Sequence, residues 1–391
     1  MEIRIPEKAV IVMVGASQSG KTTFINRHFA DAEVLYQSSE PVYSCTTDFV
    51  VSDSENISKA ERKKLIALAK SNDLQSIAIV LNLPEDVLLR RNREKSWPKV
   101  TNREIVSKSG SVASVKNYLK SEGFDLVFEF FSEEEIENLT VIREKLPCNK
   151  AHLTGPFDII GDVHGCFNEL EKLLKKLGYE KDENGVYRHP EGRLAVFVGD
   201  MCDKGTHNGE VLLTIADMVG SGSALAVKGN HDDKLARYLN GSEIELNAGI
   251  NRTIGEINRL SEEDRNKIRD FLIQLPCHLI LDEGRLLAVH AAIKPHMIGR
   301  DSRAVREFCM YGEIDREFNE FNVPTRLFSW AEEYEGETLI VYGHTPNYTP
   351  RWINKTLCLD TGCVLGNRLT ALRYPEMKFS YVKSRKNYLS K

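Results

Sequence analysis

Gly161-Asp162-Val163-His164-Gly165 follows directly on the short apolar run Phe157–Ile160, and its reading decides the fold of the longer part of the chain. A buried strand ending in a glycine-flanked acid and imidazole places metal-type donors at a sheet edge, where the backbone must turn sharply. Five more apolar runs end the same way. Leu194–Val198 leads into Gly199-Asp200-Met201-Cys202-Asp203-Lys204-Gly205, and Ala224–Val227 into Gly229-Asn230-His231-Asp232. Leu286–Val289 delivers His290, Leu339–Tyr342 delivers Gly343-His344-Thr345, and Leu357–Leu359 delivers Asp360-Thr361-Gly362. Strands that end on one side of an α/β sheet bring their following loops together, so these loops are expected to converge. One such Asp or His reads as a satisfied structural polar group; six in succession read as a site. The donors are carboxylate, amide oxygen and imidazole without thiolate, a set suited to manganese, iron, zinc or similar divalent ions such as nickel.

Outward from these loops, the same mixture of apolar runs and amphipathic stretches continues, which is the α/β pattern. Cys166–Leu177 and Ser261–Leu275 read as helices between the strands. Upstream, Ala9–Val14, Phe49–Ser52 and Ile77–Leu81 read as strands, and Lys59–Lys70 and Glu133–Lys145 as helices. Pro147–Pro156 has prolines and no periodicity and reads as a connection, so the expected domains are 1–150 and 151–391.

The glycine-flanked runs resemble the signature of calcineurin-like phosphoesterases: GDxHG, GDxxDRG, GNHD/E, a strand-terminal His, and GHT. The resemblance implies an α/β sandwich in which Asp162 and His164 bind one metal, Asn230, His290 and His344 bind the other, and Asp200 bridges. It implies that His231 protonates the leaving oxygen, oriented by Asp203. Lys204 stands where the family usually has Arg, exchanging a bidentate fork for a point charge. Further stretches, among them Met310-Tyr311-Gly312-Glu313, Leu359-Asp360-Thr361-Gly362-Cys363-Val364 and Leu369–Glu376, resemble the phosphatase module of bacterial polynucleotide kinase-phosphatases. In that family the Asp of the DTGC run also supports the active site, which here is Asp360.

Gly15-Ala16-Ser17-Gln18-Ser19-Gly20-Lys21-Thr22 fits the phosphate-cradling pattern GxxxxGK[ST] between a strand-like run and a helix-like one. Gly15, Ser17, Ser19 and Gly20 supply the loop, Lys21 would hold β/γ oxygens, and Thr22 a magnesium ion beside ATP. A P-loop kinase-like parallel sheet with helices is therefore expected for the first block. Ser38-Ser39-Glu40 stands where polynucleotide kinase modules carry an SSD run whose acid activates the 5′-hydroxyl, and Asp48 is a second candidate base. Phe49–Asp53 with Ser54-Glu55-Asn56 resembles the strand ending in a DATN run, which puts Asp53 on the metal side of the phosphates. Leu83–Val87 with Arg91 and Arg93 resembles the lid helix, whose arginines stabilise the transferring phosphoryl group.

Composition excludes some alternatives. With 41% hydrophobic residues, 28% charged residues and a net charge of −5, there is no global electrostatic case for nucleic acid or membrane. The eight cysteines lack finger-like spacing and read as reduced packing thiols in a cytoplasmic protein. No window approaches a membrane span. The leading expectation is nucleic-acid end healing: a 5′-hydroxyl kinase joined to a metal-dependent 3′-end phosphatase, acting on RNA ends in preference to DNA. Sealing would fall to a separate ligase. The alternatives are a phosphatase of proteins or dinucleoside polyphosphates with a regulatory P-loop block, and a nucleotide-gated scaffold.

Overall fold

The computed structural model describes residues 1–36, 46–95, 100–115, 118–318 and 324–390. The chain divides into two compact units, Met1–Leu146 with Arg300–Arg303, and Pro147–Gly299 with Ala304–Lys391.

The first unit is built on five parallel strands in the order Glu33–Tyr36, Phe49–Asp53, Ala9–Gly15, Gln75–Leu81 and Leu126–Phe130. The central strand, Ala9–Gly15, is buried along its whole length, as a strand covered on both faces must be. Its alternate residues serve two cores. Val10, Val12 and Val14 pack with Leu65, Ile66 and Ala69 of the helix Lys59–Ser71, and Ile11 and Met13 pack with Phe24, Ile25 and Phe29. The helix Lys21–His28 starts immediately beyond the loop that follows this strand. The Glu133–Lys145 stretch departs from the expected helix. Ser132 caps a short helix, Glu133–Glu137, with a reciprocal Glu135 contact. Thr140–Glu144 then extends as a strand and pairs in parallel with Glu2–Pro6. The β-branched Thr140-Val141-Ile142 favours that state over a polar helix.

The second unit has two five-stranded sheets. One runs Ala224–Ala226, Leu194–Phe197, Phe157–Ile160, Arg368–Tyr374, Lys378–Lys383, its first three strands parallel and its last two antiparallel. The other runs His278–Leu281, Leu286–Val289, Leu339–Tyr342, Thr356–Cys358, Arg351–Ile353. Their facing residues form one core: Ile159, Val196 and Leu372 from the first sheet, Leu279, Ala288, Val341 and Leu357 from the second. The intervening residues face outward. Ile160, Ala195 and Phe197 pack on the helix residues Leu170, Leu173 and Val211, and Leu287, Val289 and Ile340 pack on Val305 and Trp330. This period-2 division, inward to the partner sheet and outward to helices, is the physics of a sandwich with helical outer layers.

The terminal segment is also built in. Tyr388 is buried and donates its hydroxyl to Glu169 at 2.9 Å, which also accepts from the Arg385 amide at 2.8 Å. Among the described residues no helix is long and apolar enough to cross a membrane.

Candidate functional site

Each strand of the two sheets that was expected to end in a donor does so, and the donors meet. His164 Nε2 lies 3.5 Å from Asp200 Oδ2. On the other side of the same carboxylate, His290 Nε2 lies 3.3 Å from Asp200 Oδ1, 3.0 Å from Asn230 Oδ1 and 3.0 Å from His344 Nδ1. Asp162 accepts the His344 backbone amide at 3.0 Å. Two triads result, Asp162-His164-Asp200 and Asp200-His290-His344, each with its ligand atoms within 4.8 Å of one another and with Asp200 common to both.

The imidazoles are fixed as donors of electron pairs. His164 gives its Nδ1 proton to the Cys202 carbonyl at 3.0 Å, and His290 gives its own to the Val198 carbonyl at 3.0 Å. Nε2 of each is left as a lone pair aimed at the shared carboxylate, the arrangement that backbone carbonyls impose on metal-binding histidines. Burial drives His290 below its ordinary pKa and His164 down to about 3, with Lys204 adding to the latter. The acids are crowded. Burial, then Asp360 and Asp200, push the Asp162 carboxyl well above the usual range, and burial raises Asp360 to about 6. Burial also opposes ionisation of Asp200, but His290, His231, His164 and Lys204 around it outweigh that and hold it low. Buried acids and imidazole lone pairs facing one another call for positive charge. Lys204 supplies some, with Nζ 3.0 Å from His164 Nε2. The donor set, oxygen and nitrogen in two triads sharing a carboxylate, fits a divalent pair.

His231 and Asp203 sit beside this cluster. His231 Nδ1 donates to Asp203 Oδ2 at 2.6 Å, and its Nε2 is 3.9 Å from Asp200 Oδ2. Burial lowers the His231 pKa, but Asp200 and Asp203 more than offset that and raise it overall.

Several features were not apparent in the sequence. His164, Asp200, Asp203, Lys204 and His344 all have φ between 46° and 75°, a left-handed conformation rare for side chains other than glycine and concentrated here at one site. Gly343 is required by contact: a Cβ there would lie 1.8 Å from Asp162 Oδ1. Asp232, buried and pushed up to about 6 by burial and by Asp200, accepts the Met201 and Gly229 amides at 3.0 Å each and ties two ligand loops together. Asn208 accepts the Asp203 amide at 2.8 Å and so positions the acid's partner. An Asp or Asn in the first turn of a helix, as these are, gives no sequence sign of such bonds.

In the first unit, residues 15–22, expected to cradle phosphate, run from the end of the central strand into the next helix. Gly20 has φ 95° ahead of the helix, and Lys21 folds back so that Nζ donates to the carbonyls of Gly15 at 2.8 Å and Ala16 at 3.1 Å. Burial pushes the Lys21 ammonium down to about 8. Thr22 Oγ1 donates to Asp53 Oδ2 at 2.8 Å, and Ser17 Oγ to Glu55 Oε1 at 2.6 Å. Ser19 Oγ is buried without a hydrogen-bond partner among the described residues. Arg91 reaches the loop, donating to the carbonyls of Gln18 at 3.2 Å and Ser19 at 3.0 Å, while its Nε holds Glu133 at 3.0 Å. Arg93 is exposed and enters no hydrogen bond among the described residues.

Asp48 is a correction. Strand pairing sets Ala9 opposite Phe49, so Asp48 lies beside Lys8 and bonds its Nζ at 3.1 Å. The loop begins at Gly15, about 20 Å along the strand at ~3.3 Å per residue, so Asp48 cannot act as base there. Glu40, in Ser38-Ser39-Glu40, lies outside the described residues. The cysteines among the described residues are free and buried, as packing thiols are. Cys277 and Cys309 close on His278, at 3.5 Å and 4.0 Å from its Nδ1. The Gly299 amide donates to His278 Nε2 at 3.0 Å, which leaves the proton on Nδ1. That nitrogen presents N–H, not a lone pair, to the sulfurs, and the cluster reads as a satisfied core histidine among thiols.

Comparison with known proteins agrees with the second unit. The family model for calcineurin-like phosphoesterases matches residues 155–378. A bis(5′-nucleosyl)-tetraphosphatase PrpE (asymmetrical) of Halalkalibacterium halodurans is 44% identical over 238 residues, 60% of this chain and 96% of that one. Its counterpart of the same name in Bacillus subtilis is 40% identical over 226 residues, 57% of this chain and 92% of the other. A solved metallophosphoesterase from Sphaerobacter thermophilus is 16% identical with a TM-score of 0.33, covering 59% of this chain and 88% of that one.

Proposed function

Because the chain belongs to the calcineurin-like phosphoesterase family through residues 155–378, we propose that its second unit hydrolyses the phosphoanhydride chain of dinucleoside polyphosphates. Relatives at 40–44% identity, matched over more than nine-tenths of their length, carry the name bis(5′-nucleosyl)-tetraphosphatase, and that observation carries the reading. It displaces the leading expectation of end healing in favour of the alternative.

Asp162, His164, Asp200, Asn230, His290 and His344 would hold a divalent pair, manganese first among the candidates, with Asp360 supporting. Such a pair, when bound, polarises phosphoryl oxygens and lowers the pKa of water. The chain's own residues do the rest. Asp203 keeps the His231 proton on Nδ1 and favours the imidazolium, so Nε2–H can be given to the oxygen that leaves. Lys204 supplies a flexible positive charge that can turn from His164 to a phosphate oxygen. A nucleotide leaves with its charge spread over phosphate oxygens, so His231 contributes less there than it would for an alkoxide.

For the first unit we infer a nucleotide site with magnesium at Thr22 and Asp53, regulatory in this reading. A second reading keeps a 5′-hydroxyl kinase there and RNA ends as substrate, since Lys21, Thr22, Asp53 and Arg91 surround one loop. One assay separates them. The protein is given diadenosine tetraphosphate, a 3′-phosphorylated RNA and a 5′-hydroxyl RNA with labelled ATP. Hydrolysis of the first at the highest kcat/KM, without transfer of label, is expected. Labelled RNA with little hydrolysis of the dinucleotide would reverse the order.

A further inference from the structure

Beyond the reacting atoms, the helix Asn230–Leu239 carries a row of groups that the hydrolytic chemistry does not use. It opens with Asn230 and His231, and the same face presents Lys234 one turn on and Arg237 a turn further. At ~1.5 Å per residue these lie about 4.5 Å and 9 Å along the axis from His231. All four line one cleft of about 400 Å³, closed on another side by Tyr311. Neither Lys234 nor Arg237 makes a side-chain hydrogen bond or ion pair with any described residue, although Glu243 and Glu245 border the same cleft. Through Glu243 and Ile244 the cleft adjoins a larger hollow of about 710 Å³, lined by Tyr238, Leu246, Asn258 and Arg265 among others. Leu246 is exposed there.

Two cations without a direct ion pair among the described residues, stepped away from a phosphohydrolytic centre, fit an extended polyanion that begins at the reacting phosphorus. The adjoining hollow, with an aromatic ring, an exposed leucine and a guanidinium, suits the flat face of a nucleobase. We propose that Lys234 and Arg237 form a subsite for the phosphates distal to the bond that breaks, and that the Tyr238–Leu246 hollow takes the nucleoside at the far end. This rests on the dinucleoside polyphosphate reading and deepens it: the site measures chain length from His231 outward. A monophosphate ester reaches His231 and stops short of Lys234.

The test compares the wild-type chain with the Lys234→Gln/Arg237→Gln double variant, both loaded with manganese and checked for equal melting temperature. The substrates are diadenosine tetraphosphate, p-nitrophenyl phosphate and a 3′-phosphorylated RNA. Loss of two charge-assisted contacts predicts a fall in kcat/KM of roughly 30-fold or more on the dinucleotide, mostly in KM, and at least tenfold less on p-nitrophenyl phosphate. Equal falls on the two, or none, overturn the subsite while leaving the substrate reading intact. A fall confined to the RNA assigns the cations to nucleic acid and overturns it also. A wild-type chain that cleaves p-nitrophenyl phosphate but not the dinucleotide defeats the reading and the subsite together.

Discussion

Asp203 holds His231 by a 2.6 Å bond to Nδ1, and the value of that contact depends on what leaves. Asp203→Asn keeps the shape but removes the charge that favours the imidazolium. It is expected to lower kcat roughly 100-fold on an alkyl phosphate and far less on p-nitrophenyl phosphate, whose leaving group needs no proton. Steady-state rates on the two esters check this; equal losses would mean that Asp203 supports the fold of the site and not its acid. Lys21 gives a second residue-level expectation. Burial brings its ammonium to about 8, so the charge is present below that pH and is lost as pH rises through it. Nucleotide affinity should therefore fall by roughly tenfold between pH 7 and pH 9, the ratio of the charged fractions at those values. Titration calorimetry with an ATP analogue at the two pH values measures it, and a flat profile would show that Lys21 does not meet the phosphates.

At the scale of elements, the site depends on how strands end. Gly343 closes the strand Leu339–Tyr342, and a methyl group there meets Asp162 Oδ1 at 1.8 Å. Gly343→Ala should displace Asp162 and abolish binding of one ion, with secondary structure kept because the strand itself is untouched. Circular dichroism alongside metal titration tests it; full metal binding would show that the loop absorbs the methyl. The same ends explain what was legible in the sequence. Apolar runs such as Phe157–Ile160 and Leu286–Val289 stand out because both faces are buried, and metal-type donors, Asp162 and His290, follow them within two residues. The hairpin of Arg368–Tyr374 and Lys378–Lys383 was not read as strands, because its outer strand alternates exposed and half-exposed residues. The left-handed backbone at His164, Asp200, Asp203, Lys204 and His344 is imposed by tertiary contacts, so no local pattern announces it. Asp48 failed for a related reason: its distance from the loop follows from strand register, which spacing along the chain does not reveal.

At the scale of the molecule, the chain divides into two units, and both triads that share Asp200 lie in the second. The buried Asp162, Asp200 and Asp360 repel one another without a cation. A ligand at ~100 times its Kd contributes about 2.7 kcal/mol, so chelation should lower the melting temperature of the second unit by roughly 5–10 °C. The melting of the first unit should hardly move. Calorimetry with and without chelator resolves the two transitions, and equal shifts in both would place a structural ion elsewhere. Asp200 is the one side chain common to both triads. The most direct measurement is therefore the number of manganese ions bound per chain, by elemental analysis after dialysis, in the wild type and in Asp200→Ala, with phosphohydrolase activity recorded on the same samples. Two ions and activity in the wild type, with at most one ion and no activity in the variant, are the predicted results. A wild-type chain that binds no divalent ion, or an Asp200→Ala chain that keeps both ions and its activity, would contradict a shared-carboxylate centre.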